Sequence, residues 1–310
     1  MGKWTAADIP DQTGRTIVIT GANSGLGLRS AEALAAKGAR VVLACRNATK
    51  AATALESVKA KATGATPEVR TLDLQSLASV RECASGLADE LDSLDVLMNN
   101  AGVMAVPKAT TEDGFETQLG TNHLGHFALT GLLLPTLLSA PEPRVVTVSS
   151  NAHNMGRMDF NDLFFEHRRY SRWRAYAQSK LANLLFTSEL QRQAVEHRTA
   201  LTAAAAHPGY AATNLTSGPA VGAAALKPLL AVGDKLFGQP DHMGALPQLY
   251  AATMPDVMAD DYWGPDAFRE QRGHPTRVGR TKHAQNTADA GRLWQRSEEL
   301  TGVTYPWPLR

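Results

Sequence analysis

Short runs of β-branched residues alternate with longer helical patterns through the first two thirds of the chain. Strands are predicted at residues 16–20, 40–44, 69–72, 95–98, 144–149 and 201–206. Helices are predicted between them, at residues 28–37, 49–61, 76–91, 115–138 and 175–195, with a kink in the fourth near Pro135. Because parallel strands need right-handed helical crossovers, this alternation predicts an α/β fold, a doubly wound parallel sheet with helices on both faces.

The rhythm breaks after Pro208-Gly209. Residues 213–240 are rich in Gly, Ala and Pro, with a helix predicted near residues 223–237. Further helices are predicted at residues 244–252 and 286–300, whereas residues 264–282 are basic and are predicted to be irregular. No repeat or linker divides the 310 residues, so we predict a single domain with its core at residues 15–215 and a C-terminal extension at residues 264–310.

Composition narrows the range of partners. Lys plus Arg number 31 and Asp plus Glu 30, and the net charge of +1 favours neither nucleic acid nor an anionic membrane. Two cysteines are too few for a disulfide framework, and the scattered His123, His126, His153 and His207 lack the spacing of a metal site. The N-terminus has no apolar segment typical of a signal peptide, and the leucine-rich residues 132–138 are too few to span a bilayer. We therefore expect a cytoplasmic protein with no integral membrane segment.

A glycine-rich loop follows the first predicted strand and precedes a helix. It reads Gly21-Ala22-Asn23-Ser24-Gly25-Leu26-Gly27. Glycines let the backbone approach a pyrophosphate closely, and the positive end of the helix dipole favours its charge. The spacing G-x-x-x-G-x-G differs from the G-x-G-x-x-G fingerprint, so the loop alone is also compatible with a tight turn. Its place between a strand and a helix favours a dinucleotide site in a Rossmann-type fold.

The end of the second strand bears on which dinucleotide binds. An acidic residue there would hold the ribose 2′-hydroxyl of NAD, but no Asp or Glu lies between Glu32 and Glu56. Arg46 stands instead where a 2′-phosphate needs a cation, which favours NADP. The alternative for Arg46 is a solvated residue after a strand, and NAD stays compatible with Asn23 or Arg46.

Tyr176 and Lys180 lie four residues apart in the strongest helical segment, so their side chains project from one face. A nearby ammonium stabilises a phenolate and lowers the phenol pKa from its ordinary value of about 10. The pair is therefore a candidate general acid/base near neutral pH. Ser149-Ser150 ends the preceding strand, at the carboxyl edge where open parallel sheets bind ligands.

These motifs in combination resemble the short-chain dehydrogenase/reductase family over residues 15–215. The likeness is greatest to the retinol dehydrogenase-like branch, where Ala44-Cys45-Arg46, Val148-Ser149-Ser150-Asn151-Ala152-His153 and Ser179-Lys180-Leu181-Ala182-Asn183 have counterparts. The family motifs matched are Thr20-Gly21-x3-Gly25-x-Gly27, Asp73-Leu74, Asn99-Asn100-Ala101-Gly102, Asn122, Ser150, Tyr176-x3-Lys180, and Pro208-Gly209 with Thr213.

The resemblance implies a role for each catalytic residue. Tyr176 exchanges the substrate proton, and Lys180 lowers the pKa of that phenol and holds the nicotinamide ribose. Ser150, preferred over Ser149 by the family pattern alone, hydrogen-bonds the reacting oxygen, and Asn122 orders a water in the proton relay. The implied cofactor contacts are Gly21, Asn23, Ser24, Gly25, Leu26, Gly27, Arg46, Asp73 at the adenine, Leu74, Asn99 at the adenosine ribose, Ala101, Gly102, Tyr176, Lys180, and Pro208, Gly209 and Thr213 at the nicotinamide.

The resemblance also implies an activity. We expect an NADP-preferring oxidoreductase that interconverts an alcohol and a carbonyl on an apolar small-molecule substrate. A substrate lid is expected at residues 211–240, and the inserted residues 155–174 are expected beside the entrance. The alternatives are a non-catalytic dinucleotide-binding redox sensor and a reductase of carbon–carbon double bonds. Relatives often pair through helices corresponding to residues 115–138 and 175–195, so a homo-oligomer is expected.

Overall fold

The computed structural model describes residues 3–210 and 239–308. The strands of this part are β1 Thr16–Thr20, β2 Arg40–Cys45, β3 Glu68–Thr71, β4 Val96–Asn99, β5 Arg144–Val148, β6 Thr202–Ala206, β7 Tyr262–Ala267 and β8 Arg272–Arg277. They form one sheet in the order β3-β2-β1-β4-β5-β6-β7-β8. All neighbours are parallel except β7 and β8, which are antiparallel. The predicted Rossmann-type α/β fold is confirmed, and its strand order reverses between β1 and β4, where open sheets bind ligands.

Helices connect the strands and cover both faces of the sheet. They are α1 Gly25–Ala35, α2 Ala48–Lys59, α3 Leu77–Glu90, α4 Thr117–Leu119, α5 Gly125–Leu132, α6 Leu134–Leu138, α7 Arg172–Glu196, α8 Asp241–Gly244, α9 Leu246–Thr253 and α10 Thr287–Thr301. No helix of residues 3–210 and 239–308 is long and apolar enough to cross a membrane.

The core has two layers because successive strand side chains point to opposite faces. In β1, Val18 packs in the cluster that includes residues of α3, α5 and α7. Its neighbours Ile17 and Ile19 pack in the cluster formed with α1, α2 and α9. The central strands β1, β2, β4 and β5 are therefore buried on both sides, which explains why they are nearly continuous apolar runs.

The prediction of irregular structure at residues 264–282 is wrong up to residue 277. Residues 262–277 form the β7–β8 hairpin, although Gly264, Pro265, Gly273 and Pro275 are all poor strand formers. The hairpin tolerates them because β8 is an edge strand and β7 pairs with β6 only through Tyr262 and Trp263, before Pro265. The two prolines face each other across the hairpin.

The long helix predicted at residues 115–138 is instead divided into segments. A π-helical turn, Gly120–Leu124, joins α4 to α5, and the chain kinks again at Leu133, just before α6. The helix predicted at residues 223–237 lies outside the described residues. The same holds for Thr213 and for nearly all of the expected lid at residues 211–240.

Candidate active site

A cavity of about 380 Å³ opens at the carboxyl edge of the sheet, beside the point where the strand order reverses. It is bounded by the glycine-rich loop after β1 and by the chain ends of β2, β3 and β4. The residues that line it are Gly21, Asn23, Ser24, Gly25, Leu26, Gly27, Ala44, Arg46, Asn47, Lys50, Leu72, Asp73, Leu74, Gln75, Asn100, Ala101, Gly102, Val103 and Thr121.

Glycine is required at two points of this loop. Gly21 has a φ of +67°, and a Cβ there would lie 3.0 Å from the Ala101 Cα. A Cβ on Gly27 would lie 2.6 Å from both the Gly21 carbonyl oxygen and the Asn100 Nδ2. The loop therefore leaves its backbone open to a ligand, and α1 begins directly behind it with Ser24 as N-cap. These features fit the pyrophosphate of a dinucleotide.

A buried hydrogen-bond network that the sequence analysis missed holds the loop against the chain end of β4. The Thr20 hydroxyl oxygen accepts from the backbone N–H groups of Asn100 and Ala101, at 3.0 and 2.9 Å. The same hydroxyl lies 2.9 Å from Nε2 of His126, and Asn100 Nδ2 donates to the Thr20 carbonyl at 2.8 Å. No local sequence pattern predicts this network, because its residues come from three separate parts of the chain.

The chain end of β2 places two cations beside the cavity. Arg46 is exposed, and its guanidinium lies 3.6 Å from the Asp73 carboxylate. Lys50, which the sequence analysis did not select, lines the same cavity from the first turn of α2. Asn47 caps that helix by accepting from the Lys50 N–H at 2.8 Å. The cap fixes the start of α2 next to Arg46, and both cations are placed to meet an anionic group.

Asn99, expected at the adenosine ribose, does not line the cavity. Its side chain is fully buried, and Nδ2 donates to the Thr130 hydroxyl at 3.0 Å. Asn100 lines the cavity in its place. The alternation of side chains along the end of β4 explains the difference, since neighbours in an extended chain point to opposite sides.

Tyr176 lies on α7 facing the end of β5. Its side chain is only 6% exposed, and its phenol lies near the Ser150 side chain. Ser150 also caps the short 3₁₀ helix Asn151–Met155 by accepting from the Ala152 N–H. Ser149 turns away, since its hydroxyl donates to the Lys180 carbonyl at 2.8 Å. The structure thus brings Ser150, rather than Ser149, to the phenol.

Lys180 lies one turn further along α7, with Nζ 5.8 Å from the centre of the Tyr176 ring. The ammonium donates to the Val148 carbonyl at 3.0 Å, and Asn183 Nδ2 donates to the same oxygen at 3.0 Å. A Cβ on Gly102 would lie 3.5 Å from this Nζ and 3.1 Å from the Asn122 Oδ1. Glycine at 102 therefore lets the cavity wall approach Lys180 and Asn122 closely.

Burial controls the acidity of both groups. It raises the pKa of Tyr176 to about 12, opposed by the Ser150 hydrogen bond, and lowers the pKa of Lys180 to about 8. The sequence analysis expected the ammonium to lower the phenol pKa. In the structure the loss of solvation has the larger effect, because both side chains are removed from water.

Asn122 lies inside the π-helical turn. Its Oδ1 accepts from the Val103 N–H at 2.8 Å, and Nδ2 donates to the Val103 carbonyl and the Ser179 hydroxyl, at 3.0 and 2.9 Å. A π turn shifts one residue out of the regular helical ladder, which here aims Asn122 at the chain after β4. The side chain thereby joins the cavity wall to α7.

The turn after β6, expected at the nicotinamide, is tightly held. Gly209 has a φ of +66°, and its N–H donates to Nδ1 of His207 at 3.2 Å. Gln239 fixes the neighbouring residues, because its Nε2 donates to the Pro208 carbonyl at 2.6 Å and its N–H donates to the Tyr210 carbonyl at 2.9 Å.

Several large apolar side chains belong to segments that adjoin Ser150 or Tyr176. Met155 and Trp173 belong to the inserted residues, and the Trp173 ring lies 6.2 Å from the Tyr176 ring. Tyr210 follows Gly209, and Phe268 lies in the β7–β8 turn, one carbonyl of which accepts from Asn151. Met155, Trp173 and Phe268 are each more than half exposed. The inserted residues themselves are anchored, since Lys108 Nζ donates to the Phe165 carbonyl at 2.7 Å and Gln178 Nε2 to the Leu163 carbonyl at 2.8 Å.

Comparison with known proteins gives the same picture. Residues 15–219 match the family described as short chain dehydrogenase. Human retinol dehydrogenase 13 is 38% identical over 94% of this chain and 86% of its own. The crystal structure of an uncharacterised Mycobacterium paratuberculosis protein is 47% identical, with a TM-score of 0.82 over 99% of this chain and 100% of its own. A Shigella flexneri short chain dehydrogenase complexed with NADP shares the fold, with a TM-score of 0.63 and 22% identity over 82% of this chain and 97% of its own.

The family match covers the glycine-rich loop, Ser150 and the Tyr176–Lys180 pair, and the curated relative aligns with nearly the whole chain. The chain therefore belongs to the short-chain dehydrogenase/reductase family, in its retinol dehydrogenase-like branch, and is an NAD(P)-dependent dehydrogenase/reductase.

Proposed function

We propose that this protein is an NADP-preferring oxidoreductase that interconverts an alcohol and a carbonyl on an apolar substrate, with Tyr176 as the general acid/base. The observation that carries the proposal is the Ser150–Tyr176 pair, whose side chains lie near each other, with Lys180 one helical turn away, beside a glycine-lined cavity. NADPH, when bound, would supply the hydride. The chain contributes placement and proton transfer.

The resting protonation states suit the reduction of a carbonyl. A phenol with a pKa of about 12 is protonated at pH 7, so Tyr176 is prepared to donate a proton to an oxygen held by Ser150. An ammonium with a pKa of about 8 is mostly charged at that pH and stabilises the phenolate that remains. Asn122 keeps the neighbouring wall at Val103 in place.

Two cations support the preference for NADP. Arg46 and Lys50 line the cavity where the adenosine end of the cofactor is expected, and the family fold carries NADP in the Shigella flexneri protein. Asp73 is the nearby anion, but it is paired with Arg46. A 2′-phosphate would compete with that carboxylate for the guanidinium, and a bidentate Arg–phosphate contact is the stronger interaction.

The apolar side chains around Ser150 and Tyr176 support an apolar substrate. Met155, Trp173 and Phe268 expose large apolar side chains on segments that adjoin Ser150 or Tyr176, where we expect a substrate to enter. Burial of such surface against an apolar ligand is favourable, whereas a strongly polar ligand would gain little from it. The retinol dehydrogenases named among the relatives act on a substrate of this kind, which agrees with the proposal.

A carbonyl and alcohol panel, assayed with NADPH and NADH, tests the proposal together with Tyr176→Phe. We expect turnover of apolar carbonyls and a loss of kcat by roughly 10²–10⁴-fold in the variant, since the proton donor is removed. The affinity for NADPH should stay unchanged. Tyr250→Phe, which removes a phenol hydroxyl bonded to Asp256, is the matched control.

Three results would count against the proposal. Near-wild-type turnover by Tyr176→Phe would refute the role of the phenol. Binding of NADPH with no turnover of any compound would favour the redox sensor. Reduction of enones at the carbon–carbon double bond, with ketones untouched, would identify the other reductase activity.

A further inference from the structure

The turn between β7 and β8 has an unusual backbone. Phe268, Arg269 and Glu270 are consecutive non-glycine residues with φ values of +51°, +54° and +63°. Residues other than glycine rarely adopt this left-handed backbone conformation. They keep it only where surrounding contacts hold them in place. Strain of this kind clusters at functional sites.

The turn reaches both sides of the candidate active site. On one side, Asn151, the residue after Ser150, donates from Nδ2 to the Glu270 carbonyl at 3.3 Å. On the other side, the Tyr210 N–H donates to the Gln271 carbonyl at 2.7 Å. Gly209 lies so close that a Cβ on it would stand 2.3 Å from that same carbonyl oxygen. The turn is thus in contact with the Pro208-Gly209 segment and with the chain that follows Ser150.

The Glu270 side chain makes a further link through a buried histidine. Its Oε2 lies 3.3 Å from Nε2 of His207, whose side chain is completely buried. The Gly209 N–H donates to the other ring nitrogen, Nδ1, at 3.2 Å. A neutral imidazole that accepts at Nδ1 carries its proton on Nε2. This nitrogen is buried and has no hydrogen-bond partner among the described residues, so the carboxylate at 3.3 Å acts on it through its charge. The contact with His207 also lowers the pKa of Glu270, so the carboxylate is charged at neutral pH.

The surroundings leave His207 little freedom. The ring packs against Tyr262, with centroids 5.1 Å apart, and His153 packs against the same tyrosine at 5.6 Å. His153 Nδ1 is bonded to the Ser150 carbonyl at 2.8 Å. A Cβ on Gly264 would stand 2.0 Å from the His207 Nε2, so β7 closes the remaining space.

We propose that Glu270 is a positioning residue: its carboxylate holds the His207 ring in the orientation and tautomer that fix the Gly209 N–H, and so sets the Pro208-Gly209 turn that receives the nicotinamide end of the cofactor. The inference rests on the proposed function for the cofactor that binds there. It assigns no contact between Glu270 and the reacting atoms. The carboxylate acts on the cofactor only through His207 and the turn.

A comparison of two ligands tests this positioning role. NADPH spans the whole site, whereas 2′,5′-ADP has the adenosine end and no nicotinamide. In Glu270→Ala, the Kd for NADPH, measured by calorimetry, should rise by about tenfold, as expected for the loss of a buried contact with a charged group. The Kd for 2′,5′-ADP should stay within about twofold, because its expected contacts at Arg46 and the glycine-rich loop lie elsewhere.

Two further variants separate the carboxylate from the turn itself. Arg269→Ala truncates the exposed neighbouring side chain in the same left-handed turn and should leave both Kd values unchanged. Glu270→Gln keeps a polar oxygen beside His207 Nε2, so it should restore most of the NADPH affinity that Glu270→Ala loses.

Each outcome has one meaning. An unchanged NADPH Kd in Glu270→Ala, or an equal loss of both ligands, overturns the positioning role while the proposed function stands. A wild-type protein that binds neither ligand sinks the proposed function itself. A selective loss of NADPH affinity, rescued by Glu270→Gln, supports the inference.

Discussion

The proposed preference for NADP depends on what the Arg46 guanidinium contacts. Its guanidinium is more than half exposed, its nearest anion is Asp73 at 3.6 Å, and Lys50 stands beside it on the cavity wall. An exposed ion pair of this geometry contributes little to stability, so the arginine gives up little when it turns to a phosphate. A carboxylate at the same position would instead repel a 2′-phosphate and accept a ribose hydroxyl.

Arg46→Asp should therefore move the cofactor preference from NADPH towards NADH. We expect the ratio of kcat/KM for NADPH to kcat/KM for NADH to fall by about tenfold or more, since a charge-assisted contact becomes a repulsion. Steady-state kinetics with both cofactors measures the ratio. Lys59→Asp, on α2 but outside the cavity, is the control. An unchanged ratio in Arg46→Asp would mean that another group meets the 2′ position.

At the scale of elements, the local sequence pattern predicts secondary structure well, but it does not reveal contacts between distant segments. All six predicted strands are present. Most residues of β1, β2, β4, β5 and β6 are buried, whereas the edge strand β3 is only partly buried. The apolar residues at 115–138 recur with a helical period, and this period predicts a helix. It carries no information on the π turn, or on the hydrogen bonds that Asn122 in this turn makes with Val103 and Ser179. Likewise, Tyr176 and Lys180 were found from spacing, whereas Lys50, Asn100 and the Thr20–His126 network depend on contacts between distant segments.

Residues 115–138 also contain two buried histidines, His123 and His126, which make the stability of the fold sensitive to acid. Burial lowers the pKa of His123 to about 3 and that of His126 to about 4, below the ordinary 6.5. The unfolded chain therefore binds these protons first as pH falls, so stability is full above about 6.5 and declines towards pH 4. At pH 5 each histidine should lower the free energy of unfolding by about 2 kcal/mol relative to its value at neutral pH.

Urea unfolding at pH 7.5 and pH 5 measures this difference. His123→Gln removes one titrating group, so the loss of stability between the two pH values should shrink by about 2 kcal/mol. His242→Gln, at an exposed histidine, should leave the loss as it is in the wild type. Equal losses in wild type and His123→Gln would contradict the assignment.

At the scale of the whole molecule, the C-terminal helix covers the surfaces of α5 and α7. Trp294 of α10 packs edge-on against Phe127, with ring centroids 5.1 Å apart, and stacks on Phe186 at 6.0 Å. The Tyr305 hydroxyl donates to the Phe127 carbonyl at 2.8 Å. The sequence analysis expected two copies to pair through these helices. In the structure, part of that apolar surface is buried by the chain's own C-terminal residues.

Trp294→Ala tests how much this cover contributes to the fold. We expect the free energy of unfolding to drop by about 3–5 kcal/mol, because a large buried ring is replaced by a cavity. Trp173→Ala, at a side chain that is 52% exposed, should cost less than about 1 kcal/mol. Chemical denaturation of both variants gives the comparison. Similar values for the two would show that the C-terminal helix is dispensable to the core.

The hydrogen bond between Tyr210 and Gln239 has a bearing on how well the fold tolerates insertions between these two residues. It ties together the two residues that border the stretch 211–238, and both are anchored to β8 or to the turn before it. For a flexible chain whose ends are joined, doubling the length costs only about 0.6 kcal/mol of closure entropy. A flexible insertion between Tyr210 and Gln239 should therefore leave the sheet beneath these two residues intact.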